Sequence, residues 1–149
     1  MTDGDWSVEG HLITCSSDKM LTVSNHQGDT PYDSIMVKAE PRNIRWSPAS
    51  TEAEKFLCCI IGKDKLCHIN PKVNQSTKFI EFDKSYGKLS SFEWLNGQVI
   101  FITFESGVCA VVSMEEGRMG TELKNFRPHF GAIEAFNINY DMEKIAIAS

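Results

Sequence analysis

The stretch Leu89–Met114, LSSFEWLNGQVIFITFESGVCAVVSM, predicts three consecutive β-strands joined by two tight turns. Asn96-Gly97 lies in the first turn, where this dipeptide is a strong hairpin signal because both residues tolerate a positive φ. Glu105–Gly107 forms the second turn. The strands are rich in β-branched and aromatic residues and are predicted over Leu89–Trp94, Val99–Phe104 and Val108–Ser113. The stretch therefore indicates an antiparallel meander, and the rest of the chain can be read as versions of the same unit.

Three tryptophans mark the beginning of successive copies of this unit. Trp6, Trp46 and Trp94 are 40 and 48 residues apart, and each precedes a polar turn and then a β-rich strand. A fourth copy without a tryptophan begins at Ala132. A period of about 40–48 residues with about four strands per copy is typical of a β-propeller blade. We predict one all-β domain over residues 1–149, with about three and a half blades at 1–40, 41–88, 89–131 and 132–149.

The remaining strands follow from the same alternation of apolar and polar residues, and no segment has the apolar periodicity of a helix. We predict them at His11–Ser16, Met20–Ser24, Pro31–Lys38, Arg42–Trp46, Phe56–Ile61, Leu66–Ile69, Thr77–Phe82, Thr121–Phe126, Ala132–Asn139 and Lys144–Ser149. Closed propellers have about 4–8 blades. We therefore expect the chain to be part of a longer propeller, whose open sheet edges would favour aggregation.

The composition excludes several classes of protein. The net charge of −5 disfavours a nucleic-acid or anionic-membrane surface, and Arg118, Lys124 and Arg127 are too sparse to form a basic patch. No apolar run approaches the roughly 20 residues that span a bilayer, and we expect no signal peptide. The chain has five cysteines, an odd number, and all of them lie in apolar segments that are predicted to be strands. Reduced, buried thiols in a cytoplasmic protein are the simplest interpretation.

One segment carries a specific resemblance to the WD-repeat family. Leu12–Thr30, LITCSSDKMLTVSNHQGDT, has an aspartate, Asp18, in the turn between two strands. Ser24-Asn25 stands where the family often has its Trp-Asp dipeptide. The segment resembles a repeat in the amino-terminal propeller of a scaffold subunit of the ciliary intraflagellar transport complex A. The order of later features also fits: Glu40–Ile44 entering the next blade, Gly62-Lys63 in its hairpin, and Trp94.

The resemblance implies a function without catalysis. Proteins of this family act as scaffolds in a multi-subunit train, chiefly in retrograde ciliary transport and cilium assembly. It implies other complex A subunits and ciliary cargo as partners, and the cytoplasm, the cilium and the ciliary base as locations. It carries over no catalytic residue, no cofactor and no metal. Contact with partners is expected at the longer polar loops, near Gly28–Tyr32, Ala49–Glu54 and Val73–Ser76.

Two other functions stay open at this point. A generic WD-repeat interaction module unrelated to cilia has the same sequence pattern. A propeller enzyme would need converging carboxylates in a central channel, for which Glu93 and Glu134 are the candidates, although solvated glutamates explain both. The motifs of serine hydrolases, zinc peptidases and P-loop nucleotide-binding proteins are missing from the sequence. An immunoglobulin-type sandwich is disfavoured because its Cys…Trp…Cys arrangement is not matched.

The sequence offers a possible metal site, a possible buried histidine network and one turn-stabilising aspartate. Cys58-Cys59 and Cys67-His68 combine thiols with an imidazole, as zinc requires. Neighbours on a strand point to opposite faces, so only one of each pair can share a site, and packed core thiols are expected instead. His129 could join a buried hydrogen-bond network of the WD-repeat kind, although the usual Gly-His order is not kept. Asp18 is predicted to accept backbone N–H groups in its turn.

Overall fold

The computed structural model describes residues 1–48, 56–73, 77–128, 131–139 and 144–148. Within these ranges the chain forms antiparallel β-sheets and one short 3-10 helix, Lys84–Tyr86. Three sheets have four strands each and one has two. The all-β fold predicted from the sequence is therefore confirmed. The chain divides into two compact units, Met1–Glu81 and Phe82–Ser149.

The first unit contains two meanders of four strands. The first sheet has the order β1-β2-β3-β4, and the second has the order β5-β6-β7-β8. The strands are β1 (Asp3–Trp6), β2 (His11–Cys15), β3 (Met20–Asn25), β4 (Ile35–Met36), β5 (Pro41–Trp46), β6 (Leu57–Ile61), β7 (Lys65–Ile69) and β8 (Lys78–Glu81). Within each sheet, every strand pairs with the next one along the chain, which is the connectivity of a propeller blade.

The core of the first unit lies between its two sheets. Alternate residues of each strand point into it, because side chains on a strand alternate between faces. The segment of the first sheet contributes Ile13, Cys15, Leu21, Val23, Ile35 and Val37 to the apolar cluster. The second sheet contributes Ile44, Trp46, Leu57, Cys59, Ile61, Cys67 and Ile69. The hydrophobic alternation of the sequence thus fixes the register of both sheets.

The second unit contains one complete meander and a hairpin. The meander has the order β9-β10-β11-β12, and the hairpin pairs β13 with β14. The strands are β9 (Leu89–Asn96), β10 (Val99–Phe104), β11 (Cys109–Ser113), β12 (Glu122–Phe126), β13 (Ala135–Asn139) and β14 (Lys144–Ala148). Phe101, Cys109 and Ile133 are buried there, with Phe136 at the edge of the cluster. The Phe101 and Phe136 rings meet edge to face, with centroids 5.0 Å apart.

Two of the differences from the sequence-based predictions have a clear structural reason. The Asn96-Gly97 turn forms without a positive φ at either residue. Instead, the Asn96 Oδ1 accepts the N–H of Gln98 at 2.8 Å, so the side chain of Asn96 stabilises the turn. The strand predicted over Pro31–Lys38 is reduced to Ile35–Met36. Its first part carries Pro31, which has no N–H to donate to a sheet.

Candidate interaction surface

Two carboxylates join the first strands of the two sheets in the first unit. Asp3 Oδ2 accepts the backbone N–H of Ile44 at 3.0 Å, and Asp5 Oδ2 accepts that of Trp46 at 2.9 Å. The Trp46 indole Nε1–H also donates to the Asp5 carbonyl oxygen at 3.2 Å. Because residues two apart on a strand share a face, both carboxylates of β1 point at the edge of β5. β5 is the edge strand of the second sheet, so these two N–H groups have no neighbouring strand to bond to. The carboxylates of Asp3 and Asp5 act as their hydrogen-bond acceptors instead.

An ion pair adds to this junction. Arg45 donates from its guanidinium Nη1 to Asp3 Oδ2 at 3.0 Å and to the Ile44 carbonyl oxygen at 2.6 Å. Both side chains of the pair are about 30% exposed, at 31% and 29%. Such half-exposed pairs contribute little to stability, in the range of about 0.2–1 kcal/mol. Its main effect here is to fix the direction of the Asp3 carboxylate.

These contacts align β1 and β5 in parallel and bring one set of loops to the same end of the unit. Strands alternate in direction within each meander, so β1, β3, β5 and β7 all finish at that end. The turn after β1 and the described residues that directly follow β3, β5 and β7 therefore lie there together. They include the predicted contact loop Gly28–Tyr32 and the exposed Val73 of the predicted loop Val73–Ser76. Ala49–Glu54 and residues 74–76 lie outside the described residues.

The turn between β1 and β2 has a fixed backbone. The Ser7 N–H donates to the His11 carbonyl oxygen at 2.8 Å, and the Gly10 N–H donates to that of Ser7 at 3.1 Å. The Ser7 hydroxyl oxygen accepts the His11 N–H at 3.0 Å. Gly10 has a φ of 82°, which a residue with a Cβ rarely adopts. At the tip of this turn Val8 is 98% exposed, and Trp6 before it is 57% exposed.

The predicted thiol and imidazole group is part of the core. Cys59 and Cys67 are cross-strand partners in the cluster that also holds Cys15, whereas Cys58 and His68 are partners on the opposite face of the second sheet. All five cysteines are buried and free. The prediction of buried core thiols is therefore confirmed. Across the described ranges, no three His, Cys, Asp or Glu side chains are grouped so that they could hold a metal ion.

Burial shifts the protonation of these groups away from the charged forms. The pKa of Cys58 is raised well above its usual value by desolvation. The pKa of Cys59 is raised by its hydrogen bond with Cys67 and by desolvation. Desolvation, with a smaller effect of Lys78, lowers the pKa of His68 to about 4. The His68 ring packs on that of Phe56, with centroids 4.6 Å apart. Neutral thiols and a neutral imidazole of this kind are suited to packing rather than to nucleophilic chemistry.

The remaining residues singled out in the sequence are Asp18, Glu93, Glu134 and His129, and they do not form a common site in the described residues. The Asp18 Oδ1 accepts the Met20 N–H at 3.2 Å, which confirms its predicted role in the turn. Glu134 is exposed, and Glu93 is partly buried on β9. His129 lies outside the described residues. The sequence analysis missed Asp3 and Asp5, although two aspartates at alternate positions of a short strand before a tryptophan are a visible signal.

One known protein family matches the chain along its whole length. The model of the WDR19 first beta-propeller matches residues 1–149. Human WD repeat-containing protein 19 is 28% identical over 151 residues, and the mouse protein of that name is 30% identical over 153, each covering 98% of the chain. WD repeat-containing protein dyf-2 of Caenorhabditis elegans is 24% identical over 140 residues, covering 92%. The chain spans about a tenth of the length of these relatives, at 10–11%.

Solved structures share the fold at low sequence identity. The β-propeller domain of Cps50 (Swd1) from Myceliophteria thermophila superposes with a TM-score of 0.76 at 10% identity. The match covers 98% of this chain and 50% of that one. A chain of the Mitotic Checkpoint Complex gives a TM-score of 0.75 at 12% identity, covering 99% of this chain and 44% of that one. These matches confirm a partial β-propeller. The described residues include no helix of the length and hydrophobicity that a membrane span requires.

Proposed function

Since the chain belongs to the family of the WDR19 first β-propeller, we propose that it is a non-catalytic interaction scaffold within a subunit of intraflagellar transport complex A. In this proposal it acts in retrograde ciliary transport and cilium assembly. Its partners are other complex A subunits and ciliary cargo proteins. Its locations are the cytoplasm, the cilium and the ciliary base. The observation that carries the proposal is the family match along all 149 residues.

The geometry supports a scaffold because rigid sheets hold loops at fixed positions. In the first unit, the ends of β1, β3, β5 and β7 lie at one end of two packed sheets, and the Asp3 and Asp5 contacts fix those sheets in register. Partner choice would then depend on exposed side chains of these segments. No residue is assigned a catalytic, cofactor-binding or metal-binding role.

The division into blades at 1–40, 41–88, 89–131 and 132–149 is part of the same proposal. Each observed sheet falls inside one of these ranges. A prediction for binding follows from this division. The loops Gly28–Tyr32, Ala49–Glu54 and Val73–Ser76 connect strands within the first two blades, so their removal would leave every strand intact.

Deletion of Ala49–Glu54 tests the proposal that such loops bind partners. We expect the shortened chain to keep its β-sheet circular dichroism spectrum while its recovery of purified complex A subunits falls. A matched control replaces Lys63 and Asp64 with alanine, two exposed residues in the turn between β6 and β7 at the opposite end of the unit. Equal recovery of every subunit by the deletion variant and the control would contradict the assignment of binding to this loop.

A further inference from the structure

The chain contains two hydroxyl residues that are followed directly by a proline, in Thr30-Pro31 and in Ser47-Pro48. A protein kinase that encloses the residue after its acceptor in an apolar surface leaves the backbone N–H of that residue unpaired. Proline has no N–H, so such an enzyme favours proline at this position. The dipeptide is short, so the surroundings of each hydroxyl decide which of the two can be a substrate.

Thr30-Pro31 lies on the surface, in the segment that connects β3 to β4. Thr30 and Pro31 are both exposed, and neither belongs to a strand. The residue before a proline favours extended backbone, and an extended segment offers its side chains and backbone to a binding enzyme. A kinase can therefore reach the Thr30 hydroxyl without opening a sheet.

The chain is held on both sides of this dipeptide. The Asn25 Oδ1 accepts the Asp29 N–H at 2.9 Å, and the Asn25 N–H donates to the Asp29 carbonyl oxygen at 2.8 Å. On the other side, Ile35 pairs with Leu21 across β3 and β4. Thr30 is thus presented directly after a preformed turn, which reduces the conformational entropy lost when an enzyme binds.

Ser47 is followed by the same residue but lies in the opposite environment. It is buried, with 7% exposure. Its Oγ accepts the Phe56 N–H at 3.1 Å, and its N–H donates to the Phe56 carbonyl oxygen at 2.8 Å. Phosphorylation there would require the residue after β5 to separate from the residue before β6. The two dipeptides therefore form a matched pair that differs in accessibility.

We propose that Thr30 is a phosphorylation site for a proline-directed serine/threonine kinase, and that Ser47 is not one in the folded chain. In the transfer, the Thr30 Oγ1 forms a bond to the γ-phosphorus of ATP, while the bond from that phosphorus to the β–γ bridging oxygen breaks. ADP leaves, and the hydroxyl proton passes to the catalytic aspartate of the kinase. The product carries an added charge of about −1.5 to −2 between Asp29 and Asp33 in the sequence.

The phosphate would lie in the predicted contact loop Gly28–Tyr32. Such a change in charge alters partner choice and the rate of association. This consequence rests on the proposed scaffold function, whereas the modification site itself does not. Phosphorylation of Thr30 with unchanged recovery of every partner would support the site and contradict the role proposed for the loop, so the two failures are distinguishable.

Kinase treatment of the purified chain tests the proposal. The chain is incubated with ATP and a purified proline-directed kinase of the mitogen-activated class, and mass spectrometry measures the phosphorylated fraction at Thr30 and at Ser47. Two synthetic peptides, residues 26–36 and 43–53, are treated in the same way as unfolded references. Pro31→Ala tests the role of the proline. Asp33→Ala, at an exposed position of the same segment, is the matched control.

We expect phosphate at Thr30 in the folded chain and about tenfold or more less at Ser47, which is accessible only after local opening. Both peptides should be phosphorylated. Pro31→Ala should lower the rate at Thr30 about tenfold or more, because alanine restores an N–H that the enzyme leaves unpaired. Asp33→Ala should leave this rate unchanged.

Four results would overturn the proposal. The first is equal phosphorylation of Thr30 and Ser47 in the folded chain, because burial would then not decide the site. The second is modification of Thr30 in the peptide but not in the chain. The third is an unchanged rate in Pro31→Ala, and the fourth is that neither peptide is phosphorylated.

Discussion

The Asp5 carboxylate accepts the backbone N–H of Trp46, with Oδ2 and N 2.9 Å apart, and thereby joins the first strands of two sheets. The same aspartate accepts the Trp46 indole N–H on its backbone carbonyl at 3.2 Å. Trp46 is buried, so both of its donors are removed from bulk water. Together with the Asp3 carboxylate, which accepts the Ile44 N–H, Asp5 forms a junction that the hydrophobic pattern does not reveal.

Replacing Asp5 with alanine should destabilise the first unit. A partly buried N–H would lose its acceptor, which costs about 1–3 kcal/mol in unfolding free energy. Urea unfolding followed by circular dichroism measures the change. Asp33→Ala, on the exposed segment after β3, is the control and should change the unfolding free energy by less than about 0.5 kcal/mol. If Asp5→Ala is no more destabilising than that control, the junction does not contribute as described.

Gly4 should not tolerate a larger side chain. A Cβ at this position would lie 2.9 Å from the Ile13 carbonyl oxygen, which is backbone and cannot move aside cheaply. Gly4→Ala should therefore cost about 1–3 kcal/mol, as forced overpacking does. Gly131→Ala is the matched control because a Cβ there meets nothing within 4 Å. Thermal unfolding of both variants checks the prediction, and equal midpoints for the two would be evidence against the close approach of β1 and β2.

Stability should fall in mild acid because of His68. Burial lowers the pKa of His68 to about 4 in the folded chain, below its ordinary value of 6.5. Between these values the unfolded chain binds a proton that the folded chain does not. The contribution of His68 is thus fully present above pH 6.5. It is lost by up to about 1.4 kcal/mol per pH unit as the pH falls towards 4.

Urea unfolding between pH 4.5 and 7.5 measures this slope. His68→Leu should flatten the dependence, since leucine takes up no proton. His26→Gln, at an exposed position, should leave it unchanged. A slope that is the same in His68→Leu and in the unaltered chain would show that His68 is not buried in its neutral form.

The five thiols should be slow to react in the folded chain. All five are buried, and desolvation raises the pKa of Cys109 to about 11. The thiolate is the reactive form, so both access and ionisation are reduced. Labelling with an aromatic disulfide reagent at pH 8 should be about tenfold or more slower without denaturant than in 6 M urea. Rapid labelling of any one cysteine in the folded chain would identify a thiol that is not packed as the structure describes.

The repeat pattern predicted most of the fold because alternation and turn residues are local signals. Val99–Phe104 matches β10 at both ends, and the three tryptophans lie at or near the ends of the first strands of three sheets, although β1 itself was not predicted. The hydrogen bonds from Ile44 and Trp46 to Asp3 and Asp5 were beyond such reasoning, because they join residues about 40 positions apart.

Affinity purification tests the central claim most directly. The tagged chain is purified from ciliated cells beside a full-length protein of the family, and mass spectrometry identifies what is recovered with each. The scaffold account predicts that both recover the other complex A subunits. Recovery by the full-length protein alone would place the binding surfaces outside this chain. Recovery by neither would contradict the ciliary assignment and leave a WD-repeat interaction module with other partners.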